Sequence, residues 1–154
     1  MNKYKILDHT ADIGIEVWGK TKKELFGDAV EAMFDLMIDK EPDGKRFLPA
    51  VNLKVTRKMA ALEEKVVNIK GADTEDLLVN FLREALYLFN GKRWFVKKCK
   101  LLELTARHVV AQLQGESYNS QKHQLEKEIK AVTYHGLSVK KTAQGWKAKV
   151  IFDV

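Results

Sequence analysis

The chain has 154 residues, a net charge of +6 and one cysteine, Cys99. Its 45% hydrophobic and 31% charged residues are typical of one globular domain. A single cysteine excludes an internal disulfide and a cysteine-based zinc site. No apolar run reaches the ~18 residues of a membrane helix. The first eight residues lack the long apolar stretch of a signal peptide, so we expect a cytoplasmic protein.

The basic balance comes from 27 lysines and arginines against 21 acidic residues. Such an excess favours polyanionic partners through counterion release. Much of it is lysine scattered among glutamate, which is equally typical of a solvated surface. The composition therefore leaves an RNA-facing patch and ordinary solubility as alternatives.

The first third of the chain reads as two strands and a helix. Residues 4–7 are predicted to form a strand, and a two-residue alternation over 13–18 predicts a second. Residues 8–12 would join them. Thr21 and Glu24 have the spacing of a capping box, and apolar residues at helical spacing follow, which predicts a helix over about 22–38.

The rest of the chain contains a second helix among further strands. A Pro-Asp-Gly turn at 42–44 precedes predicted strands at 51–55 and 67–69. Asp73 caps a helix that we expect to end at Asn90-Gly91. Residues 94–114 read as two strands or one long bent strand, and 117–124 as an exposed polar segment. Residues 128–139 and 145–154 read as a closing hairpin that turns at 142–145.

This pattern predicts the α+β class, with two amphipathic helices packed on a mostly antiparallel sheet. We expect residues 1–154 to form a single domain.

Candidate ligand residues crowd the predicted loop between the first two strands. Asp8, His9 and Asp12 place two carboxylates and an imidazole within five residues. Carboxylate oxygens prefer Ca²⁺ or Mg²⁺, and imidazole shifts the preference towards transition metals. Taken alone, acidic loop residues more often cap turns or face water.

The last residues strengthen the metal interpretation. Asp153 and the α-carboxylate of Val154 follow a strand-like alternation, so the final strand could bring them beside residues 8–12. Converging carboxylates repel each other unless a cation lies between them. A frayed terminus is the alternative.

Two further residues, Lys130 and His135, could meet phosphate or an acidic partner group. Taken from the sequence alone, a surface strand lysine and a hydrogen-bonded packing histidine are the favoured interpretations. Phosphate-binding loops, a nucleophile elbow and the His-Glu-x-x-His motif are missing from the sequence. Cys99 and His108 do not indicate a catalytic dyad, because a lone cysteine in a strand-like run is usually a small buried hydrophobe.

Three segments together resemble the archease family. They are Asp-His-Thr-Ala-Asp-Ile-Gly at 8–14, the helical segment 76–89, and 128–137 with 146–154. The first motif combined with a penultimate aspartate is the most specific part of the resemblance.

The resemblance implies a protein without catalysis of its own that activates a GTP-dependent tRNA-splicing RNA ligase. It implies that the protein promotes guanylylation of the ligase and multiple turnover, with any RNA contact indirect and no membrane contact. The family metal site, often occupied by calcium, would fall on Asp12, Asp153 and Val154. Asp8 and His9 would support it, and the position that activates the ligase would be Lys130.

Two other classes of function remain open at this point. One is a metal-dependent hydrolase that uses the acidic residues as its own centre. The other is a general RNA-binding or chaperone-like module, which the positive charge favours.

Overall fold

The computed structural model describes residues 4–8, 12–39 and 62–154. The strand expected at 51–55, the turn at 42–44 and His9 lie outside this part of the chain. The described elements, in chain order, are β1 (Tyr4–Asp8), β2 (Asp12–Gly19), α1 (Lys22–Met37), β3 (Ile38–Asp39), β4 (Glu63–Lys70), α2 (Thr74–Lys92), β5 (Trp94–Leu104), β6 (His108–Ser117), β7 (Gln124–Leu125), β8 (Ala131–Thr142) and β9 (Gly145–Asp153).

All strand pairs in the described elements are antiparallel. One sheet has the order β1-β2-β9-β8, a second has the order β4-β6-β5, and β3 pairs with β7. Within the described residues, the predicted α+β class with two helices and antiparallel sheets is confirmed. The segment predicted as one or two strands is two, β5 and β6, and two register shifts interrupt their pairing.

Helix α1 begins at the predicted capping box. The Thr21 side chain accepts a hydrogen bond from the Glu24 amide at 3.1 Å, and the Glu24 carboxylate accepts one from the Thr21 amide at 3.2 Å. The helix ends at Met37, one residue before the expected end, because Ile38 turns extended and pairs with Leu125.

Helix α2 starts where Asp73 accepts a hydrogen bond from the Asp76 amide at 2.8 Å. The expected end at Asn90-Gly91 is wrong, because the helix continues to Lys92 and the left-handed residue is Arg93, with φ 52° and ψ 40°. The Arg93 amide bonds to the carbonyls of the last turn, and its guanidinium lies 5.0 Å from the centre of the Phe89 ring. These contacts move the helix end two residues onwards.

The core lies between the two helices and one side of each large sheet, since β5 and β6 contribute buried residues as well as β2 and β9. Phe26 of α1 stacks on Phe81 of α2 at 6.0 Å between ring centres. Alternate residues of β2 and β9 are fully buried against the helices, namely Ile15, Val17, Ala148, Val150 and Phe152. The same alternation puts the intervening residues of β2 and β9 on the other side of the sheet.

Candidate functional site

The predicted site residues meet at one end of the four-stranded sheet. Asp12, the first residue of β2, is the direct cross-strand partner of Asp153, the last residue of β9. Asp153 is also the partner of Ala131, the first residue of β8. The Lys130 amide donates a hydrogen bond to the Asp153 carbonyl at 2.8 Å. Three strand ends therefore place Asp12, Asp153 and Lys130 side by side.

Direct cross-strand partners share one face of a sheet, with their β-carbons about 4.5–5.5 Å apart. Asp12 is half-buried and Asp153 is exposed. Two like charges in such a pair destabilise the sheet, and hard carboxylate oxygens are the donors that a calcium ion takes. The kind and placement of these donors therefore fit a divalent cation at this end of the sheet.

The remaining predicted ligands are placed less completely. Asp8 closes β1 opposite Ile13, and the structure describes its backbone alone. His9 lies outside the described residues, so the supporting role of both stays a prediction. Val154 follows Asp153 and is exposed. Within the described part of the chain, no group of three or more His, Cys, Asp or Glu residues converges to hold a metal.

Helix α2 holds the segment that carries Lys130. The Arg83 guanidinium donates to the Val132 carbonyl at 3.0 and 3.2 Å, and the Asn90 amide group donates to the Ile129 carbonyl at 3.3 Å. Ile129 and Val132 are fully buried. Lys130 itself is exposed. The backbone of Lys130 is therefore held from both sides, while its side chain faces outwards.

A second contact ties the start of α2 to β8. The Tyr134 hydroxyl donates to the Asp76 carboxylate at 2.6 Å, and the Arg83 guanidinium lies 4.8 Å from the centre of the Tyr134 ring. The bond from Tyr134 and a further one from the Ala72 amide lower the pKa of Asp76. The same bond to Asp76 raises the pKa of Tyr134. Sequence reasoning missed Arg83 and Tyr134, since nothing in a helical pattern marks which exposed residue reaches a strand.

His135, the other candidate for a phosphate or acidic partner, is exposed in an irregular part of β8. The pairing of β8 with β9 is interrupted between Thr133 and Ser138, and Gly136 there has φ 65°. We call residues 134–137 the β8 bulge. The interruption separates His135 from the regular ladder that positions Lys130.

The segment 117–124 was expected to be exposed, and for His123 this is wrong. His123 is 4% exposed and lies edge-on to the Phe95 ring at 4.8 Å between centres. Its Nε2 lies 3.0 Å from the Glu116 carboxylate, and its Nδ1 accepts a hydrogen bond from the Asn119 amide at 3.0 Å. With both ring nitrogens engaged, His123 closes the segment onto the core and has no nitrogen left for acid–base chemistry.

Glu116 is the centre of this buried charge cluster. Lys97 and Lys122 lie 3.1 and 3.2 Å from its carboxylate. Burial raises the pKa of Glu116, but the bonds and charges of the two lysines outweigh burial and lower it overall. Burial lowers the pKa of His123, partly offset by Glu116. At neutral pH, Glu116 is therefore ionised and His123 is neutral, which is consistent with a structural role for this cluster.

Cys99 is not a nucleophile in this environment. Burial, with Glu31 and Asp28 nearby, raises its pKa to about 12, so the reactive thiolate does not form at neutral pH. His108 contacts Asn68 on the neighbouring strand. The absence of a Cys99–His108 dyad agrees with the sequence analysis.

The fold and the site define a small α+β domain whose aspartates and lysine meet at the end of one antiparallel sheet. The sequence profile of the Archease protein family matches residues 4–154. The chain belongs to the archease family. None of the described helices is long and apolar enough to cross a membrane.

Relatives of known sequence or structure cover the whole chain. The chain is 36% identical to protein archease of Methanosarcina barkeri over 99% of this chain and 96% of that protein, and 29% identical to protein archease of Pyrococcus furiosus over the full length of both. It is similar to the solution structure of Methanobacterium thermoautotrophicum protein 1598, with TM-score 0.73, 28% identity and full coverage of both chains. It is also similar to the crystal structure of a Thermotoga maritima archease, described as a possible chaperone, with TM-score 0.58, 25% identity and coverage of 97% and 96%.

Proposed function

We propose that this protein activates a cytoplasmic GTP-dependent tRNA-splicing RNA ligase, promoting guanylylation of the ligase and its multiple turnover. Membership of the archease family across residues 4–154 supports the partner. The observation that carries the proposal for this chain is the meeting of Asp12, Asp153 and Lys130 at one sheet end. The protein itself acts as an accessory factor and not as an enzyme.

The acidic pair is the first working part of this end. Asp12 and Asp153 would hold a divalent cation, calcium by the family resemblance, with Val154 beside them and Asp8 and His9 in support. A bound divalent cation would neutralise the two carboxylates and remove their mutual repulsion. The strands β2 and β9 fix the two aspartates, so the pair is preorganised before the partner arrives.

Lys130 is the second working part. Its ammonium group is a compact point charge that suits a phosphate group or an acidic side chain of the partner. Because Ile129 and Val132 are buried and bonded to α2, the backbone that carries Lys130 is fixed. Because this backbone is already fixed, docking of Lys130 would order its side chain alone, which limits the conformational entropy lost on binding.

The experiment is ligation of RNA ends by the cognate ligase at limiting enzyme, with and without this protein. We expect one turnover or less per ligase alone and many turnovers with the protein added. Asp12→Ala, Asp153→Ala and Lys130→Ala should each lower the stimulation. Two exposed neighbours of Lys130 in the chain serve as matched controls, Lys127→Ala and Glu126→Ala, and should leave it unchanged. Equal ligation with and without the protein would reject the proposal.

A chaperone-like function is the second candidate, because the Thermotoga maritima relative is described as a possible chaperone. A chaperone would protect unrelated proteins from heat-induced aggregation, and that protection would not depend on Lys130. A protein that only activates the ligase would not protect unrelated proteins from aggregation, and its stimulation of the ligase would depend on Lys130. Light scattering of a heated unrelated enzyme, with wild type and Lys130→Ala, separates the two functions.

A further inference from the structure

The side of the four-stranded sheet that faces away from the helices carries a concentration of lysines. Ile15 and Val17 point into the core, so Glu16 and Trp18 lie on the opposite side. One cross-strand row on that side joins Lys5 of β1, Glu16 of β2, Lys149 of β9 and Ser138 of β8. The next row joins Trp18, Lys147 and Lys140. We call Lys5, Trp18, Lys140, Lys147 and Lys149 the basic face.

The charges of this face are not balanced within the described strands. Lys140 and Lys147 are direct cross-strand partners, an arrangement of like charges that destabilises a sheet. Glu16 is the acid in these two rows, and its carboxylate lies 3.5 Å from the Lys147 ammonium. Four lysines therefore share one carboxylate, which leaves an uncompensated positive charge on a rigid surface. A surface of this kind attracts a polyanion.

Trp18 gives the same surface an aromatic contact. Its side chain is 39% exposed, in a row with two lysines. The β8 bulge rises beside the row of Lys149, where a β-carbon on Gly136 would lie 3.9 Å from the Lys149 ammonium nitrogen. The face therefore combines lysines, an exposed indole ring and a raised edge on one side.

We propose that the basic face binds single-stranded nucleic acid, with the lysines along the phosphates and a base stacked on Trp18. Proteins that bind single strands without sequence preference combine a positive track with exposed aromatic rings, because every base offers a π-face. A membrane surface fits less well, since proteins that lie in the lipid interface usually combine basic residues with a broad apolar face, and this face offers one exposed indole ring. This site is separate from the sheet end that carries Asp12 and Asp153, and the proposal does not depend on the ligase.

The test measures the fluorescence anisotropy of a labelled 12-nucleotide oligouridine RNA titrated with the isolated protein. Four phosphate contacts give a salt slope of about −2.8 for a single strand, so the affinity should fall roughly 50-fold between 50 and 200 mM salt. Lys140→Gln with Lys149→Gln should reduce the slope to about −1.4. Trp18→Ala should weaken binding about tenfold, because a stacked base is lost.

The matched control is Lys98→Gln with Lys100→Gln, which removes the same charge from exposed positions on β5 of the other sheet. This control should leave the slope unchanged, and the unfolding temperature of every variant shows whether it folds. Failure to bind the RNA at 50 mM salt would overturn the proposal. An equal reduction of the salt slope in the control variant would also overturn it. Equally tight binding to phosphatidylserine vesicles, with the same dependence on Lys140 and Lys149, would also overturn it. Failed ligase stimulation with intact RNA binding would reject the proposed function alone.

Discussion

Asp12 and Asp153 face each other as direct partners across β2 and β9. Like charges in such a pair destabilise the sheet. The proposed cation would offset this repulsion, because carboxylate oxygens are the donors that calcium takes.

If a cation binds at the proposed site, calcium should raise the stability of the protein, and this increase should depend on Asp12 and Asp153. Calcium at about 100 times its Kd adds about 2.7 kcal/mol, and each kcal/mol raises the unfolding temperature of a chain of this size by about 2–4 °C. In Asp153→Asn the calcium effect should disappear, while the metal-free variant should be as stable as wild type or slightly more stable. Thermal unfolding in EDTA and in calcium measures both.

The control for this measurement is Glu126→Gln, which removes a carboxylate from an exposed position directly after β7. It should keep the full calcium effect. An Asp153→Asn protein that calcium stabilises as strongly as wild type would show that the ion binds elsewhere.

The buried side chain of His123 should make the stability of the folded protein depend on pH. Its pKa is lowered in the folded protein by burial, against 6.5 for an unperturbed histidine, and the facing groups are Glu116, Lys97 and Lys122. Because the folded state binds the proton less readily than the unfolded state, the neutral ring contributes full stability above pH 6.5. This contribution is lost as the pH falls below that value towards the lower folded pKa.

We therefore expect the free energy of unfolding to fall between pH 7.5 and pH 5.5, and to fall less steeply in His123→Gln. Glu116 does not account for the change, because its lowered pKa places its titration below 4.5. Urea unfolding at several pH values gives the two slopes. Parallel slopes for wild type and variant would mean that other groups cause the pH dependence.

At the scale of elements, the contact between α2 and β8 organises the site. β8 is an edge strand of its sheet, and its start is bonded to α2 by Arg83 and Asn90. An edge strand has unpaired carbonyls on its outer side, and the helix side chains satisfy two of the carbonyls beside Lys130. The helix therefore acts as the support that fixes the strand end.

Arg83→Leu tests this support. The loss of a charged donor to a half-buried carbonyl should cost about 1–3 kcal/mol. Hydrogen exchange should accelerate in residues 129–134, and the stimulation of the ligase should fall although Lys130 is intact. Arg107→Leu, an exposed arginine in the turn before β6, is the matched control. Unchanged exchange at 129–134 in Arg83→Leu would show that α2 does not hold the strand.

The elements differ in how far the sequence could predict them. The start of α1 was predictable because the Thr21–Glu24 capping box is a local interaction. The end of α2 was not, because the left-handed residue is Arg93, which is stabilised by contacts with its own helix end and not by a glycine. The burial of His123 was equally hidden, since it depends on Glu116 and Phe95 from other strands.

The part of the candidate site that lies on regular strands could be predicted from the sequence. The alternation of residues 146–153 indicated a final strand, and the structure pairs its last residue, Asp153, with Asp12. The sequence marked Lys130 as one of two candidate contacts for phosphate, and the family resemblance alone assigned it the role of activating the ligase. Arg83, which supports it, could be found only from the packing of α2 on β8.

At the scale of the whole molecule, the four-stranded sheet carries two distinct surfaces: the sheet end with the two aspartates, and the basic face further along the strands. Asp12 and Asp153 lie at one end, together with Lys130. Lys140 and Lys147 lie towards the β8–β9 turn at the other end. Lys149 is the residue of the basic face nearest to Asp153 on β9, four residues away, so the two surfaces are separated by about 13 Å along the strand. One rigid sheet can thus present an acidic end to a protein partner and a basic face to a polyanion at the same time.

The rate of ligase guanylylation tests most directly whether the sheet end with Asp12, Asp153 and Lys130 activates the ligase. This rate is measured with wild type and with Lys130→Ala, alongside the unfolding temperature of each. We expect a large loss of stimulation at an unchanged unfolding temperature, with Lys127→Ala behaving as wild type. Full stimulation by Lys130→Ala, or a loss that unfolding alone explains, would contradict the proposed role of the sheet end.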